Sequence, residues 1–269
     1  MDRAKQELNK IVNNLTAAKQ RGVAPKIKSH YSIVGNPGTG KTTFAQHLAD
    51  LLIETGQADR NGKLVTLDAS VLSGFQDRGP NELRTFLNEN KGNVIFIDEA
   101  QGLSERSDAK AWAPELNQFA QDAMNGKHKT VFIVGGYQDD GSGRPSIDGA
   151  NNSFFSIDPG FQRRFGNTIH MDDFTQDQRV ELLQRNADED GIRLEGFTPA
   201  QLKAAAGPVD PENNASSVAN NLNDAINVME SVVTTPEYQN ADPDEQRKMV
   251  SVLRPEHFGL GKGSKRVVA

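Results

Sequence analysis

The sequence predicts an α/β protein: a five-stranded parallel sheet flanked by helices, followed by a smaller C-terminal α-helical domain. Three observations predict it. Short apolar runs alternate with stretches of helical periodicity, these runs are continuous rather than alternating apolar with polar, and strand-type runs stop near residue 174. Continuous apolar strands belong to a parallel sheet whose two faces are both covered by helices. At 269 residues the chain has room for one large domain or two modest ones, and it can bury a real core.

In chain order, residues 2–21 place Ala4, Leu8, Ile11, Val12, Leu15 and Ala18 at three- and four-residue steps, the period of one buried helical face. A basic connector with Pro25 leads to the first strand, His30–Val34. A glycine-rich turn follows, then a helix over Thr42–Glu54 and a second strand over Lys63–Leu67. A polar loop, Asp68–Gly79, precedes a helix over Pro80–Glu89. The third strand, Val94–Ile97, a helix over Glu115–Met124 and the fourth strand, Val131–Val134, continue the βα pattern. Residues 137–152 are rich in Gly, Asp, Ser and Asn and read as an exposed inserted loop. After a fifth strand near Thr168–Met171 the pattern is wholly helical, with segments at Gln176–Asp190, Pro199–Ala206, Ser217–Val233 and Pro243–Leu253. The expected organisation is therefore an N-terminal helix and connector (1–29), an α/β domain (30–173), a helical lid (174–255) and a flexible tail (256–269).

Composition narrows the function. With 30 Lys+Arg against 36 Asp+Glu, the net charge of −6 gives no overall field to draw the chain onto nucleic acid or anionic lipid. The absence of Cys excludes disulfide frameworks, thiolate nucleophiles and cysteine zinc sites, and suits a reducing compartment. No run is long and apolar enough to span a membrane and the first residues lack the apolar core of a signal peptide, so the expectation is a soluble, cytoplasmic protein. The five histidines show no metal-ligand spacing, and no Gly-x-Ser-x-Gly element supports an acyl hydrolase.

The chemistry concentrates in two places. Gly35-Asn36-Pro37-Gly38-Thr39-Gly40-Lys41-Thr42, followed by Thr43, fits the P-loop pattern between a predicted strand and a predicted helix. Its glycines let backbone N–H groups turn inward around phosphate oxygens, the helix N-terminus adds positive potential, and Lys41 brings a full charge toward the β and γ phosphates. Thr42 is the expected Mg²⁺ ligand. Val94-Ile95-Phe96-Ile97-Asp98-Glu99 delivers two carboxylates to the C-terminal edge of a buried strand, where ligands gather in α/β sheets. Asp98 would hold Mg²⁺ through its water shell, and Glu99 would orient and deprotonate an attacking water. Arg163 and Arg164, after Asp158-Pro159-Gly160-Phe161-Gln162, are arginine-finger candidates that could complete a neighbouring subunit's site.

Together with Gly136-Tyr137 and Phe154-Phe155, the segments Gly35–Thr42, Phe96–Ala100 and Asp158–Phe165 resemble the AAA+ ATPases of the CbbX group, which includes the stage V sporulation protein K and the type VII secretion ATPase. The likeness covers roughly residues 30–232, strongly from Tyr31 to Phe165 and weakly in the lid. It implies a P-loop AAA+ fold, ATP and Mg²⁺ as ligands, assembly into a homo-oligomeric ring of six, and threading of a client protein through a central pore. By the same resemblance Phe75, in Leu72–Gly79, falls in the pore loop, although the family aromatic aligns with Gln76. Tyr137 occupies the nucleotide-sensing position after the fourth strand. The lid segment Asn214–Asn220 carries none of the family's arginines, and the loop 138–152 is longer than its counterpart. By the resemblance the chain starts at the helix that normally follows an adenine-contacting segment, which leaves open an excised piece of a larger protein. Two other readings stay open: a nucleotide-gated assembly ATPase with slow turnover, and a DNA-associated loader, against which the acidic, Asn-rich lid argues.

Overall fold

In a computed structural model, successive residues of each central strand feed two different cores. Ile33, Val94, Phe96, Val131 and Ile133 pack into one layer, and Val34, Ile95, Ile97, Phe132 and Val134 into the other. Each of these side chains is buried, which is why the strands read as unbroken apolar runs. The described residues are 2–23, 25–68, 80–104, 109–139, 141–142, 144–149, 153–209 and 212–260.

The five strands are β1 (Tyr31–Gly35), β2 (Leu64–Asp68), β3 (Val94–Asp98), β4 (Val131–Gly136) and β5 (Asn167–Met171), all parallel in the order β2-β3-β4-β1-β5. Register aligns Val34 with Gly136 and Ile97 with Val134. The C-terminal ends of β1, β3 and β4 thus lie side by side, and the phosphate-loop and acidic motifs leave the sheet on the same edge.

Helices close both faces. On one side α1 (Asp2–Gln20) buries Ala4 and Leu15, and α2 (Lys41–Glu54) buries Ala45, Leu48, Ala49 and Leu52. On the other lie α3 (Pro80–Glu89) and α4 (Ala109–Met124). The latter starts six residues before the predicted Glu115, despite Pro114 inside it, because Trp112, Ala113 and Leu116 gain burial. Two short helices, α5 (Phe154–Ile157) and α6 (Pro159–Arg164), add Phe154 and Phe161, whose rings stack at 4.7 Å.

Within the stretch 138–152, expected as an exposed loop, residues 144–149 are tied into this unit. Ile147 is fully buried, its N–H donates to Tyr137 O (2.8 Å), and Ser153 Oγ donates to Gly149 O (2.6 Å). One apolar side chain among the glycines is enough to seat the segment.

The chain divides into two compact units, Met1–Asn36 with Gly40–Asp172, and Pro37–Thr39 with Asp173–Ala269. The second is built from α7 (Gln176–Glu189), α8 (Pro199–Ala205), α9 (Asn214–Glu230), α10 (Pro236–Asn240) and α11 (Pro243–Met249) around Leu183, Val218, Leu222, Met229 and Leu253. Fully buried Arg179 donates to Gly207 O, Ala206 O, Asn214 O and Ser217 Oγ at 2.6–3.3 Å. Two sequence expectations change here. The unit is not wholly helical, because β6 (Arg193–Leu194) and β7 (Val252–Leu253) pair in parallel. Nor does a free tail begin at 256: Pro255–Phe258 forms a 3-10 turn, and Phe258 packs on Phe197 with ring centroids 5.7 Å apart.

Candidate active site

β1 ends at Gly35, and the chain turns through Gly38 (φ 67°) and Gly40 (φ 86°), left-handed conformations that favour glycine, before α2 begins at Lys41. The Lys41 ammonium donates to Gly35 O (3.0 Å) and Asn36 O (2.9 Å). Burial is the main cause holding its pKa below the ordinary lysine value, opposed by Glu99 and Asp98 and reinforced by Arg144. Thr39 is buried within the loop, while Thr42 and Thr43 face outward on the first turn of α2.

Thr42 Oγ1 donates to Asp98 Oδ2 at 3.0 Å, and Asp98 Oδ1 accepts the Glu99 N–H at 2.9 Å. Glu99 has φ 53°, the one positive φ of a non-glycine among the described residues, and opens the 3-10 turn Ala100–Leu103. Gln101, 5% exposed, donates from Nε2 to Glu99 Oε2 at 2.8 Å.

The end of β4 is shaped by two missing side chains. A Cβ on Gly135 would lie 2.8 Å from the Phe96 ring, and one on Gly136 would collide with Gln101 Oε1 and sit 2.9 Å from Ile147. These glycines let the acidic turn and the seated loop approach the strand. Next comes Tyr137, with both the Lys41 ammonium and the Arg144 guanidinium 5.3 Å from its ring centroid. Burial chiefly raises the Tyr137 pKa, so it stays a neutral hydroxyl.

The structure thus gathers Gly35, Asn36, Gly40, Lys41, Thr42, Asp98, Glu99 and Tyr137 on one sheet edge. Two residues that sequence reasoning missed join them. Gln101 carried a weak signal, a polar residue two positions beyond Glu99; Arg144 carried none, lying in a stretch read as exposed. Arg163 is exposed at the end of α6, whereas half-buried Arg164 donates from Nη1 to its own Gly160 O (2.9 Å). Phe75 and the rest of Leu72–Gly79 lie outside the described residues. A hollow of about 450 Å³ beside α1 is lined by Tyr31 and Asn167 at the opposite, N-terminal edge of the sheet, so it is not this site.

The donor set suits Mg²⁺. One hydroxyl, of Thr42, and one carboxylate oxygen, of Asp98, lie 3.0 Å apart beside the phosphate loop. That is what an ion that keeps its waters and takes its remaining ligands from a phosphate requires. Glu99 is the second carboxylate, one residue beyond Asp98.

The family model described as "ATPase family associated with various cellular activities (AAA)" matches residues 31–173, more than half of the chain. The chain belongs to this AAA family. Among curated relatives it is 29% identical over 180 residues to protein CbbX of Cereibacter sphaeroides, an alignment covering 66% of this chain and 55% of the relative. It is 25% identical over 174 residues to stage V sporulation protein K of Bacillus subtilis (65% and 51%). The chain thus spans about half the length of the curated relatives it matches. A solved structure of a Thermotoga maritima RuvB point mutant shares the fold, with TM-score 0.59 and 18% identity over 96% of this chain and 67% of that one. Among the described residues no helix is long and apolar enough to cross a membrane.

Proposed function

We propose that this chain is the motor module of a ring-forming, cytoplasmic ATPase that hydrolyses MgATP to remodel a client protein. The observation that carries the reading is the chain of contacts from Thr42 through Asp98 to Glu99. It sets a hydroxyl and a carboxylate beside the phosphate loop and a second carboxylate one residue further on. Magnesium, when bound with ATP, supplies charge neutralisation to the β and γ phosphates. The chain's own groups do the rest. Lys41 exchanges its two loop carbonyls for phosphate oxygens, Tyr137 offers its hydroxyl beside them, and Glu99 takes the proton of the attacking water.

Likeness to the CbbX group and the arginine pair on α6 support a homo-oligomeric ring, of six copies by that likeness. Arg163 or Arg164 would stabilise the transferring phosphoryl group of the neighbouring copy, which makes hydrolysis depend on assembly. Phe75 is the proposed contact to an extended client segment in the pore, where an aromatic side chain can grip backbone without reading sequence.

The test combines phosphate release with mass in solution across protein concentration. Turnover that rises with assembly in ATP is expected. Full turnover by a dilute monomer would remove the shared site, and an intact rate in Glu99→Gln would remove the base. A nucleotide-gated assembly ATPase is the second reading, favoured by the arginine-free segment Asn214–Asn220. Assembly in ATP with negligible phosphate release would select it.

A further inference from the structure

We propose that Arg144 is a γ-phosphate-binding residue supplied by the chain to its own nucleotide, a cation that enters from the loop after β4 rather than from the lid. The proposal rests on the reading of the P-loop as an ATP site and adds to it the group that distinguishes ATP from ADP.

Arg144 Nη2 donates to Asn36 Oδ1 at 3.1 Å, which fixes the guanidinium to the second residue of the phosphate loop. Its Cζ lies 5.3 Å from the centroid of the Tyr137 ring, the same distance as the Lys41 ammonium. Two cations therefore converge on one aromatic ring at the C-terminal ends of β1 and β4. Arg144 helps to lower the Lys41 pKa, so the two charges repel across this partly desolvated site, and an anion beside both would relieve the repulsion. A triphosphate is the anion that a P-loop is built to receive, and its terminal group lies beyond the β phosphate, toward Asp98, Glu99 and Tyr137.

The guanidinium is held ready in place. Ile147, three residues on, is fully buried; its N–H bonds to Tyr137 O, and the Asp139 N–H donates to Asp148 Oδ1 at 2.8 Å. The loop is thereby clipped at both ends of the segment bearing Arg144. Preorganised donors aimed at developing charge are the ones that contribute most to transition-state stabilisation. Arginine also presents parallel N–H groups that match phosphate oxygens. With no arginine in Asn214–Asn220, this loop supplies what the lid motif does not.

The test is calorimetric titration of wild type and Arg144→Ala with Mg-ADP and with a non-hydrolysable Mg-ATP analogue. Arg144→Ala is expected to lose about tenfold or more in affinity for the ATP analogue, with ADP affinity changed less than about twofold. Unchanged ADP affinity also reports an intact phosphate loop. Equal losses for both nucleotides would make Arg144 a staple of the loop, unchanged affinities would leave it without a role in binding, and a gain for both would make it a plug; each overturns the proposal. Wild type that binds ADP keeps the site reading whatever Arg144→Ala does, whereas wild type that binds neither nucleotide overturns both.

Discussion

The Gln101 side chain donates from Nε2 to Glu99 Oε2 across 2.8 Å, and Glu99 is the one non-glycine of the described residues held at positive φ. A left-handed glutamate costs on the order of 1 kcal/mol or more, and surroundings must over-determine it. Here they are the Asp98 carboxylate on its N–H and the Gln101 amide on its side chain. On the proposed reading of Glu99 as the base, Gln101 would act on the reaction through Glu99, as a positioning residue. Gln101→Met keeps the volume and removes the donor. It is expected to lower kcat about tenfold while leaving the KM for ATP and the thermal midpoint near wild type. A matched fall in thermal midpoint and affinity would show a packing role instead.

Lys41 supplies the charge nearest the phosphate loop and holds Gly35 O and Asn36 O. Lys41→Met is expected to weaken binding of both ATP and ADP by a factor of about 100 or more. Equilibrium titration with a fluorescent nucleotide checks this, and wild-type affinity would place the nucleotide elsewhere.

The arginine pair separates into two experiments. Arg164 must leave Gly160 O before it can reach another copy, whereas Arg163 is already exposed. Arg164→Ala is expected to cut turnover about 10³-fold at concentrations where copies associate, with nucleotide affinity retained and Arg163→Ala milder. Steady-state phosphate release on both variants ranks them, and a wild-type rate in Arg164→Ala would reassign the finger.

His30 gives the α/β unit a pH dependence whose sign is fixed. Its ring is fully buried, Nδ1 accepts the Phe132 N–H (3.1 Å), and the proton on Nε2 is donated to Ala120 O (3.0 Å). Burial, the leading cause, pushes its pKa down to about 4 from 6.5. Between those values the unfolded chain binds more protons, so the stabilisation is complete above about pH 6.5 and is lost as pH falls toward 4. A loss of roughly 2 kcal/mol between pH 7 and pH 5 is expected from this residue. Denaturant titration followed by fluorescence of Trp112, the chain's one tryptophan, measures it. His30→Gln should flatten that slope, and an unchanged slope would assign it to other groups.

In the second unit, removing the Arg179 guanidinium strips donors from the carbonyls of Ala206, Gly207 and Asn214 in a dry interior. Arg179→Met should cost the unit about 3 kcal/mol or more. Hydrogen exchange across Asn214–Glu230 checks it, and unaltered protection there would contradict the assignment.

The nucleotide-facing edge was legible because its motifs are contiguous. Gly35–Thr42 and Val94–Glu99 each carry their own strand and turn signals, and the strand ends fall within about two residues of expectation. What was not legible depends on contacts distant in sequence. Arg144 reaches Asn36 only because Ile147 fills the space left by Gly136, a coincidence of volumes that no local pattern records. The β6–β7 pair is too short for a period-2 signal, and the turn at Pro255–Phe258 is held by Phe197 from a different helix-to-helix connection.

The Arg164 carbonyl accepts both the His30 N–H (2.7 Å) and Ser29 Oγ (2.9 Å), immediately before β1 begins. β1 then runs, bonded on both sides, straight into Gly35. The arginine helix is therefore hydrogen-bonded to the start of the same strand whose far end runs into the phosphate loop. A displacement of α6 would pass through those two hydrogen bonds, and then along the peptide bonds of β1 with no intervening loop, to the backbone of the phosphate loop.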